Sequence, residues 1–384
     1  MRAFIIAGEP SGDKLGAALM EGLQTLVPEV KFDGIGGARM GEVGLQSRFP
    51  MEEISIMGIL EILSQYSHLK RRISETADAI IADKPDVLIT IDLPEFSLRV
   101  AKLVKEKSQI RCVHYVAPTV WAWRAGRAVK MARHIDQVLA LFPFEPPYMK
   151  AAGMRCDFVG HPVVTDMQAS ETEAQEFRVE HGIGDAPLAL VLPGSRRGEV
   201  GRLAPIFGQV LEPVLQTTPD LRVVIPTAAP VEHLVCEAVK DWPCDPLVIR
   251  SEDKAQKRAA FKAADVALAA SGTVSLELAA AGTPMVIAYD MNWLSRQIIG
   301  RMLKVDTVTL VNLVSDTRAV PEFIGAECVP ERIAEGLLQV MNDGANQNET
   351  MRVTMQRLGQ GGDAPGLRAA QAVLDGLSDH QTLN

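Results

Sequence analysis

Short apolar runs alternate with longer amphipathic segments along nearly the whole chain. Because parallel strands that are covered by helices on both faces read as apolar runs between helical repeats, the pattern predicts an α/β fold. The predicted strands lie at residues 3–7, 30–35, 87–91, 110–116, 138–141 and 155–159 in the first half, and at residues 188–192, 222–225, 247–249, 266–270 and 285–288 in the second.

The length of the chain and a polar stretch near its middle predict two domains. The 384 residues exceed one ordinary hydrophobic core, and residues 166–175 lack an apolar run, as a linker would. We expect two doubly wound, Rossmann-like domains, at residues 1–168 and 169–350, that face a cleft at their strand ends. Residues 351–384 form a helical pattern interrupted by glycines, and we expect this tail to return to the first domain or to a partner subunit.

Two glycine-rich turns of the second domain each follow a predicted strand and precede a helical pattern. A helix that begins just after a strand presents unpaired N–H groups and the positive end of its dipole, which favours phosphate. An Arg in one turn and a Glu one helical turn into the other suggest a nucleoside diphosphate, with the Arg on phosphate and the Glu on ribose hydroxyls. The residues that this interpretation assigns to substrate are Gly194, Ser195, Arg196, Ser271, Gly272, Thr273 and Glu277.

A third turn, at residues 8–13, follows the first predicted strand. Ser11 is placed to cap the helix that begins there, and Gly12 allows the backbone to approach a ligand closely. Glu9 and Asp13 flank the turn and are candidate catalytic carboxylates. The alternative is a capped helix start without a ligand, which suits Ser11 better than it suits the two acids together.

Asp92 stands directly after the apolar run at residues 87–91, where a parallel strand reaches the mouth of its sheet. A carboxylate at this place is a candidate general base. The alternative is a helix N-cap, because Asp is favoured at that position. The spacing alone slightly favours the cap.

Two of the four Trp residues lie one residue apart, directly before Arg124. Trp123 and Arg124 together suit stacking on a sugar or a base, although at least one of the two Trp rings is expected to pack in the core. His161, between Gly160 and a proline, is a candidate phosphate donor. A lone His more often satisfies a backbone group.

The net charge of the chain and the distribution of its basic residues limit the classes of partner that it is expected to bind. The net charge of −9 argues against a nucleic-acid binder. Basic residues gather between residues 99 and 133, where Glu106 is the only acid among them, and this stretch faces anionic lipid, a phosphorylated substrate or only solvent. Residues 56–73 predict an amphipathic helix with a basic end, which suits either a membrane surface or, more frequently, a core.

Neither a metal nor a cofactor is expected. No Asp-x-Asp pair, the usual holder of a divalent ion on a sugar nucleotide, occurs in the sequence, so stabilisation of a leaving group falls to Arg196 and helix N-termini. The five cysteines form no C-x-x-C pair, and no apolar run is long enough for a signal peptide or a membrane span. We therefore expect a cytoplasmic protein that is at most peripheral to a membrane.

Taken together, these motifs resemble those of the lipid-A-disaccharide synthase family, which are glycosyltransferases of the GT-B architecture. The resemblance covers nearly the whole chain, and the Trp-Ala-Trp-Arg segment makes it specific. The matching segments are residues 8–13, 57–59, 91–94, 114–116, 121–124, 143–145, 160–161, 192–196, 271–273, 276–277 and 312–313.

The resemblance implies a reaction, a location and an assembly. The family joins UDP-2,3-diacylglucosamine to 2,3-diacylglucosamine 1-phosphate, forms a β-1,6-linked disaccharide 1-phosphate with inversion, and releases UDP without a metal. Its members act at the inner face of the cytoplasmic membrane, and some form dimers that exchange C-terminal segments.

The resemblance also assigns roles to particular residues. Asp92 matches the candidate general base, Arg196 the Arg on the UDP phosphates, and Glu277 the ribose acceptor. Residues 271–273 match the phosphate-binding helix start, and Asn312 lies in a family motif without a role that we can derive.

Two other functions remain open at this point. A UDP-GlcNAc 2-epimerase, or another GT-B enzyme that acts on a soluble UDP-sugar, shares the architecture but needs no acyl recognition. A non-catalytic UDP-sugar sensor needs only the nucleotide turns, and the acid at the strand end argues against it.

Overall fold

A computed structural model describes residues 1–55, 59–120, 126–291 and 305–382, with side chains for all of these except residues 59–66 and 380–382. The chain forms two compact units. The first comprises Met1–Thr165 together with Leu358–Asn384, and the second comprises Asp166–Arg357.

The first unit is built on a parallel sheet of six strands. Its order, β2-β1-β3-β4-β5-β6, reverses direction between β1 and β3. The strands are β1 (Arg2–Ala7), β2 (Lys31–Ile35), β3 (Val87–Ile91), β4 (Arg111–Tyr115), β5 (Gln137–Ala140) and β6 (Arg155–Phe158). The helices are α1 (Pro10–Leu26), α2 (Ala38–Glu42), α3 (Ile59–Asp83), α4 (Pro94–Lys107), α5 (Gly126–Met131) and α6 (Pro146–Ala151), with short 3-10 helices at Met51–Glu53 and Pro162–Thr165.

The second unit repeats this architecture. Its sheet has the order β12-β11-β10-β7-β8-β9 and reverses direction between β7 and β10. The strands are β7 (Leu188–Leu192), β8 (Arg222–Pro226), β9 (Leu247–Ile249), β10 (Val266–Ala270), β11 (Met285–Tyr289) and β12 (Glu322–Ile324). The helices are α7 (Glu171–Glu180), α8 (Arg197–Thr217), α9 (Glu232–Ala238), α10 (Lys254–Ala263), α11 (Val274–Ala281), α12 (Leu310–Ser315), α13 (Pro330–Asp343) and α14 (Asn348–Arg357), with short 3-10 helices at Ala229–Val231, Val239–Asp241, Gly325–Glu327 and Gly344–Gln347.

The predicted fold class is confirmed. Every predicted strand is present with ends that differ by at most one residue, and the central strands are buried over their whole length, as continuous apolar runs require. The strand β12 was not predicted because it has only three residues, all of them partly exposed. Each sheet has a core of its own, around Phe4 and Val100 in the first unit and around Phe207 and Leu268 in the second.

The polar stretch at residues 166–175 is only partly a linker. From Glu171 onward it forms α7, because the Ser170 side chain accepts a hydrogen bond from the Glu173 N–H group while the Glu173 carboxylate accepts from the Ser170 N–H group. This capping box begins the helix without an apolar run.

The C-terminal segment returns to the first unit. The last described helix, α15 (Pro365–Thr382), packs against α1, where Gly22 and Gly366 allow the two backbones to approach closely. Residues 351–357, at the start of the predicted tail, belong instead to α14 and pack in the second unit against α12 and α11.

Candidate functional site

The two glycine-rich turns of the second unit line one cavity of about 360 Å³. They meet because β7 and β10 are neighbours at the point where the strand order reverses, and the loops after such strands diverge to leave a crevice. The cavity combines two segments that lie far apart in the sequence. Its predicted lining residues are Gly194, Ser195, Arg196, Ser271, Gly272, Thr273 and Glu277.

The first turn is held in shape by an acid that sequence reasoning missed. Gly194 has a φ of 116°, which favours glycine, and the Glu199 carboxylate accepts hydrogen bonds from the N–H groups of Ser195 (3.2 Å) and Arg196 (3.3 Å). The Arg196 guanidinium pairs with the same carboxylate at 3.0 Å, and 78% of its side chain is exposed. The cation therefore stands at the surface of the cavity, beside N–H groups that Glu199 already occupies.

The second turn ends at a helix N-terminus. Thr273 is the N-cap of α11, and no side chain caps the helix. Its first N–H groups and the positive end of the helix dipole therefore face the crevice.

Glu277 forms an ion pair with Lys257 of α10 at 2.7 Å, and both residues line the cavity. The sequence offered no sign of Lys257, because the contact depends on how α10 and α11 pack. The cavity is thus lined by two acids, Glu199 and Glu277, and by two cations, Arg196 and Lys257.

Glu9 and Asp92 lie at the equivalent place in the first unit. They follow β1 and β3, between which the strand order reverses, and both line a cavity of about 120 Å³. Two carboxylates from distant parts of the sequence therefore share one site for the same topological reason.

Asp92 is not a helix N-cap, so the interpretation that spacing slightly favoured is wrong. Leu93 is the N-cap residue of α4, and no side chain caps the helix. Asp92 and Leu93 both have a φ of 49°, a left-handed conformation that costs free energy in residues other than glycine. The Asp92 N–H group donates to the Tyr115 carbonyl at 3.0 Å, which fixes the backbone, whereas its carboxylate makes no hydrogen bond within the described part of the chain.

A larger cavity of about 540 Å³ adjoins Asp92 on the first unit. Its apolar wall includes Leu98, Val116 and Met131. Two cations on the outer side, Arg127 and Lys130, lie three residues apart on α5. Within the described residues neither has a carboxylate partner, in contrast to the cations on α4, which pair with acids on α3, α4 and the β5 edge.

The turn at residues 8–13 differs from its prediction in three ways. The helix α1 begins at Pro10, whose fixed φ suits a first helical position, so Ser11 lies inside the first turn and does not cap it. An added Cβ at Gly12 would lie 3.5 Å from the side chains of Ala7 and Ile91, so this glycine lies where α1 packs on the sheet. The Asp13 carboxylate is buried and accepts hydrogen bonds from the N–H groups of Gly37, Arg39 and Met40 at 2.8, 2.9 and 3.1 Å. It caps α2 and has the contacts of a structural acid.

Two further candidates also make structural contacts. His161 donates through its backbone N–H group to the Leu358 carbonyl, and its Nδ1 accepts from the Val163 N–H group at 3.2 Å. The buried amide of Asn312 donates to the Val320 carbonyl at 2.9 Å and accepts from the Val320 N–H group at 3.0 Å. His161 thus anchors the returning C-terminal segment, and Asn312 holds the connection from α12 to β12.

Trp123 and Arg124 lie outside the described residues, as do residues 56–58 of the predicted amphipathic helix. The basic end of that helix contacts Glu53, which accepts from Arg72 at 2.8 Å and lies 2.9 Å from His68. Among the described residues, no three His, Cys, Asp or Glu side chains are grouped to hold a metal ion. None of the described helices is long and apolar enough to span a bilayer.

Comparison with known proteins identifies the family. A family model described as lipid-A-disaccharide synthetase matches residues 3–373. The lipid-A-disaccharide synthase of Ruegeria pomeroyi is 62% identical over 98% of this chain and 96% of its own length. That of Rhodospirillum centenum is 46% identical over 97% of this chain and 94% of its own length. The chain belongs to the lipid-A-disaccharide synthase family. It is therefore a glycosyltransferase of lipid A biosynthesis, and membership confirms the predicted UDP-sugar donor and phosphorylated sugar acceptor.

Solved structures agree on the fold alone. The chain resembles a UDP-GlcNAc 2-epimerase from Neisseria meningitidis bound to UDP-GlcNAc, with a TM-score of 0.63, 13% identity, and coverage of 99% of this chain and 100% of that one. It also resembles the S. aureus MnaA–UDP structure, with a TM-score of 0.65, 12% identity, and coverage of 100% of this chain and 97% of that one. These neighbours support the GT-B architecture. Their identity is too low to favour an epimerase over the family activity.

Proposed function

We propose that the cavity of the second unit binds the UDP moiety of UDP-2,3-diacylglucosamine. The observation that carries this proposal is the convergence of both glycine-rich turns on one crevice at the strand-order reversal. The N-terminus of α11 takes the pyrophosphate, Arg196 neutralises the departing phosphate, and Glu277, held by Lys257, accepts from the ribose hydroxyls. For phosphate to reach the N–H groups of Ser195 and Arg196, the Glu199 carboxylate must release the hydrogen bonds that it accepts from them.

The first unit takes the acceptor, 2,3-diacylglucosamine 1-phosphate. The larger cavity beside Asp92 offers apolar walls to the acyl groups. To the phosphate it offers Arg127 and Lys130, two cations that have no carboxylate partner among the residues that the structure describes. Its volume lies within the range of small-molecule sites. Glu9, which shares the smaller cavity with Asp92, helps to orient the sugar.

Asp92 is the general base of this reaction. Its carboxylate removes the proton of the acceptor 6-hydroxyl while that oxygen attacks the anomeric carbon of the donor. The bond from that carbon to the phosphate oxygen breaks, UDP leaves with the electron pair, and the configuration inverts to give a β-1,6 linkage. Left-handed backbone geometry at Asp92 supports this role, because such strain is found where a side chain must be aimed.

The enzyme works at the inner face of the cytoplasmic membrane as a peripheral protein. Both substrates carry acyl chains and therefore reside in the bilayer, so the enzyme must meet them at its surface. Exposed Val129 stands between Arg127 and Lys130, an arrangement that suits anionic lipid. We also propose a homodimer in which α15 of one subunit replaces its counterpart on the partner's α1, since this contact is made by a terminal helix.

A UDP-release assay tests the proposed function. With both lipid substrates the enzyme should release UDP, and omission of either lipid should abolish the release. Turnover of UDP-sugar and acceptor that both lack acyl chains would instead favour an enzyme on soluble substrates. UDP binding without any release would favour a sensor.

A further inference from the structure

One buried side chain that lines the larger cavity beside Asp92 has no role in the reaction as described so far. His114 lies on β4 opposite Thr90 of β3, is 3% exposed, and lines the cavity of about 540 Å³ together with Asp92. The Asp92 N–H group donates to the carbonyl of Tyr115, the residue after His114. Asp92 and His114 therefore lie at the carboxyl ends of the neighbouring strands β3 and β4.

The hydrogen bonds of His114 assign its tautomer. Nδ1 lies 2.8 Å from the Thr90 hydroxyl oxygen, and that hydroxyl lies 3.3 Å from the Val113 carbonyl, which can only accept. Both contacts are hydrogen bonds only if Thr90 donates to the carbonyl and Nδ1–H donates to Thr90. The lone pair of the ring then lies on Nε2.

The Nε2 atom is available to a ligand. It has no hydrogen-bond partner within the described part of the chain, and it is not among the fully buried atoms without partners. Since Nδ1 faces Thr90, the opposite edge of the ring faces the cavity. A nearly buried polar atom without a protein partner is costly unless water or a substrate completes its hydrogen bond.

Burial also keeps this ring neutral. It lowers the pKa of His114 to about 4. Near neutral pH the uncharged ring can therefore accept a hydrogen bond at Nε2.

The chemistry of the acceptor indicates which group this atom meets, provided that the proposed function holds. In 2,3-diacylglucosamine 1-phosphate only the hydroxyls on carbons 4 and 6 of the sugar are free, and the 6-hydroxyl gives its proton to Asp92. We propose that Nε2 of His114 accepts a hydrogen bond from the 4-hydroxyl. His114 thereby orients the sugar and selects acceptors that carry this hydroxyl.

Two substitutions separate this contact from the fold. An Asn amide reaches about as far as Nδ1, so His114→Asn keeps the contact with Thr90 and loses the acceptor at Nε2. A Gln amide reaches about as far as Nε2, so His114→Gln restores it. We expect His114→Asn to lower kcat/KM for the acceptor roughly tenfold, the effect of one hydrogen bond, and His114→Gln to recover most of it. UDP affinity and the thermal midpoint should remain close to those of the parent enzyme.

A 4-deoxy acceptor completes the test. The parent enzyme should lose about the same tenfold on this substrate, whereas His114→Asn should lose nothing more, because the interaction is already absent. Full activity of His114→Asn, or losses from variant and deoxy substrate that multiply, would overturn the assignment. Absence of UDP release by the parent enzyme with both lipids would instead overturn the proposed function, and the assignment with it.

Discussion

At the scale of single residues, the structure separates polar side chains that bond to the backbone from those that face a cavity. The Asp13 carboxylate accepts hydrogen bonds from three N–H groups at the start of α2, and the Asn312 amide bonds to the backbone of Val320. Asp92 keeps its carboxylate unbonded within the described chain, on a strained backbone. Sequence motifs alone do not distinguish these cases, because the distinction depends on which backbone groups come within 3 Å.

Replacement of Asp92 with Asn tests the proposed base. The amide keeps the size of the side chain but does not take up a proton, so turnover should fall about 10²- to 10⁴-fold. UDP affinity should be unchanged, because we propose that the nucleotide binds in the other unit. Steady-state UDP release and calorimetric titration with UDP measure the two effects, and Asp78→Asn on the exposed face of α3 is the control. Near-normal turnover would remove Asp92 as the base.

A buried carboxyl group elsewhere makes stability depend on pH. Burial raises the pKa of Glu145 to about 8, against its usual 4.5, although hydrogen bonds from the Phe142 and Leu141 N–H groups oppose the shift. The folded protein then holds a proton that the unfolded chain loses above pH 4.5. The contribution to stability is therefore complete below that pH and is lost as the pH rises towards 8.

Replacement of Glu145 with Gln should relieve this dependence. The amide stays neutral and still accepts from the Phe142 N–H group, so the variant should gain stability relative to the parent protein as the pH rises from 5 to 8. Each unit of pKa difference corresponds to about 1.4 kcal/mol. Urea unfolding at both pH values measures the gain, with exposed Glu212→Gln as control. A constant difference between the two pH values would contradict the assignment.

At the scale of elements, both sites arise from one feature of the doubly wound sheet. Strand order reverses between β1 and β3 and again between β7 and β10, and the candidate residues follow these four strands. The helices then decide what each crevice presents. At the crevice of the second unit this is the uncapped N-terminus of α11, and in the first unit the two cations of α5 line the larger cavity that adjoins Asp92.

A methyl group on Gly194 should damage the donor site. An added Cβ would lie 2.7 Å from the Glu199 Cβ and 2.8 Å from its Oε2, at a φ of 116° that other residues rarely adopt. We expect Gly194→Ala to weaken UDP binding about tenfold or more, which corresponds to the 1–3 kcal/mol cost of backbone strain. Calorimetric titration measures this effect.

Gly198→Ala is a matched control four residues away. It lies in the first turn of α8, an added Cβ meets nothing within 4 Å, and Ala favours the helix. UDP affinity should therefore be retained. Equal effects of the two substitutions would show that the first turn does not depend on its backbone geometry.

At the scale of the whole molecule, the returning helix α15 completes the first unit. It packs along α1, and the buried Gln137 of β5 donates to the Ala372 carbonyl on this helix at 2.7 Å. Its loss would expose the face of α1 that it covers. The C-terminal segment is thus part of the folded unit that carries Asp92.

The crossing of α1 and α15 provides a test of this dependence. In Gly366→Ala the added Cβ would clash with the Ala18 carbonyl oxygen, so the helices must separate at a cost of about 1–3 kcal/mol. The midpoint of urea unfolding should fall, while UDP affinity should be retained. Gly41→Ala, where nothing lies within 4 Å of the new Cβ, is the control. An unchanged midpoint in Gly366→Ala would show that this packing contributes little.

The sequence by itself determined the strands, the fold class and most of the residues that line the cavity of the second unit. Buried parallel strands produce long apolar runs, and a glycine followed by a helix start marks a phosphate turn wherever it occurs, so both signals are local. The family motifs also predicted the activity. Glu9, Asp92 and the residues of the two glycine-rich turns were candidates from the sequence, and the structure places them at cavities.

Only the tertiary structure decided the partners of these residues. It gave Asp13 and Asn312 structural contacts, removed Asp92 from the helix cap, and brought Glu199, Lys257 and His114 to the cavities. It also placed α15 on α1, more than 300 positions away in the chain. The physical reason is the same throughout. A hydrogen bond or a packing contact depends on distances in space, and these follow from strand order and helix packing, which no local pattern of residues records.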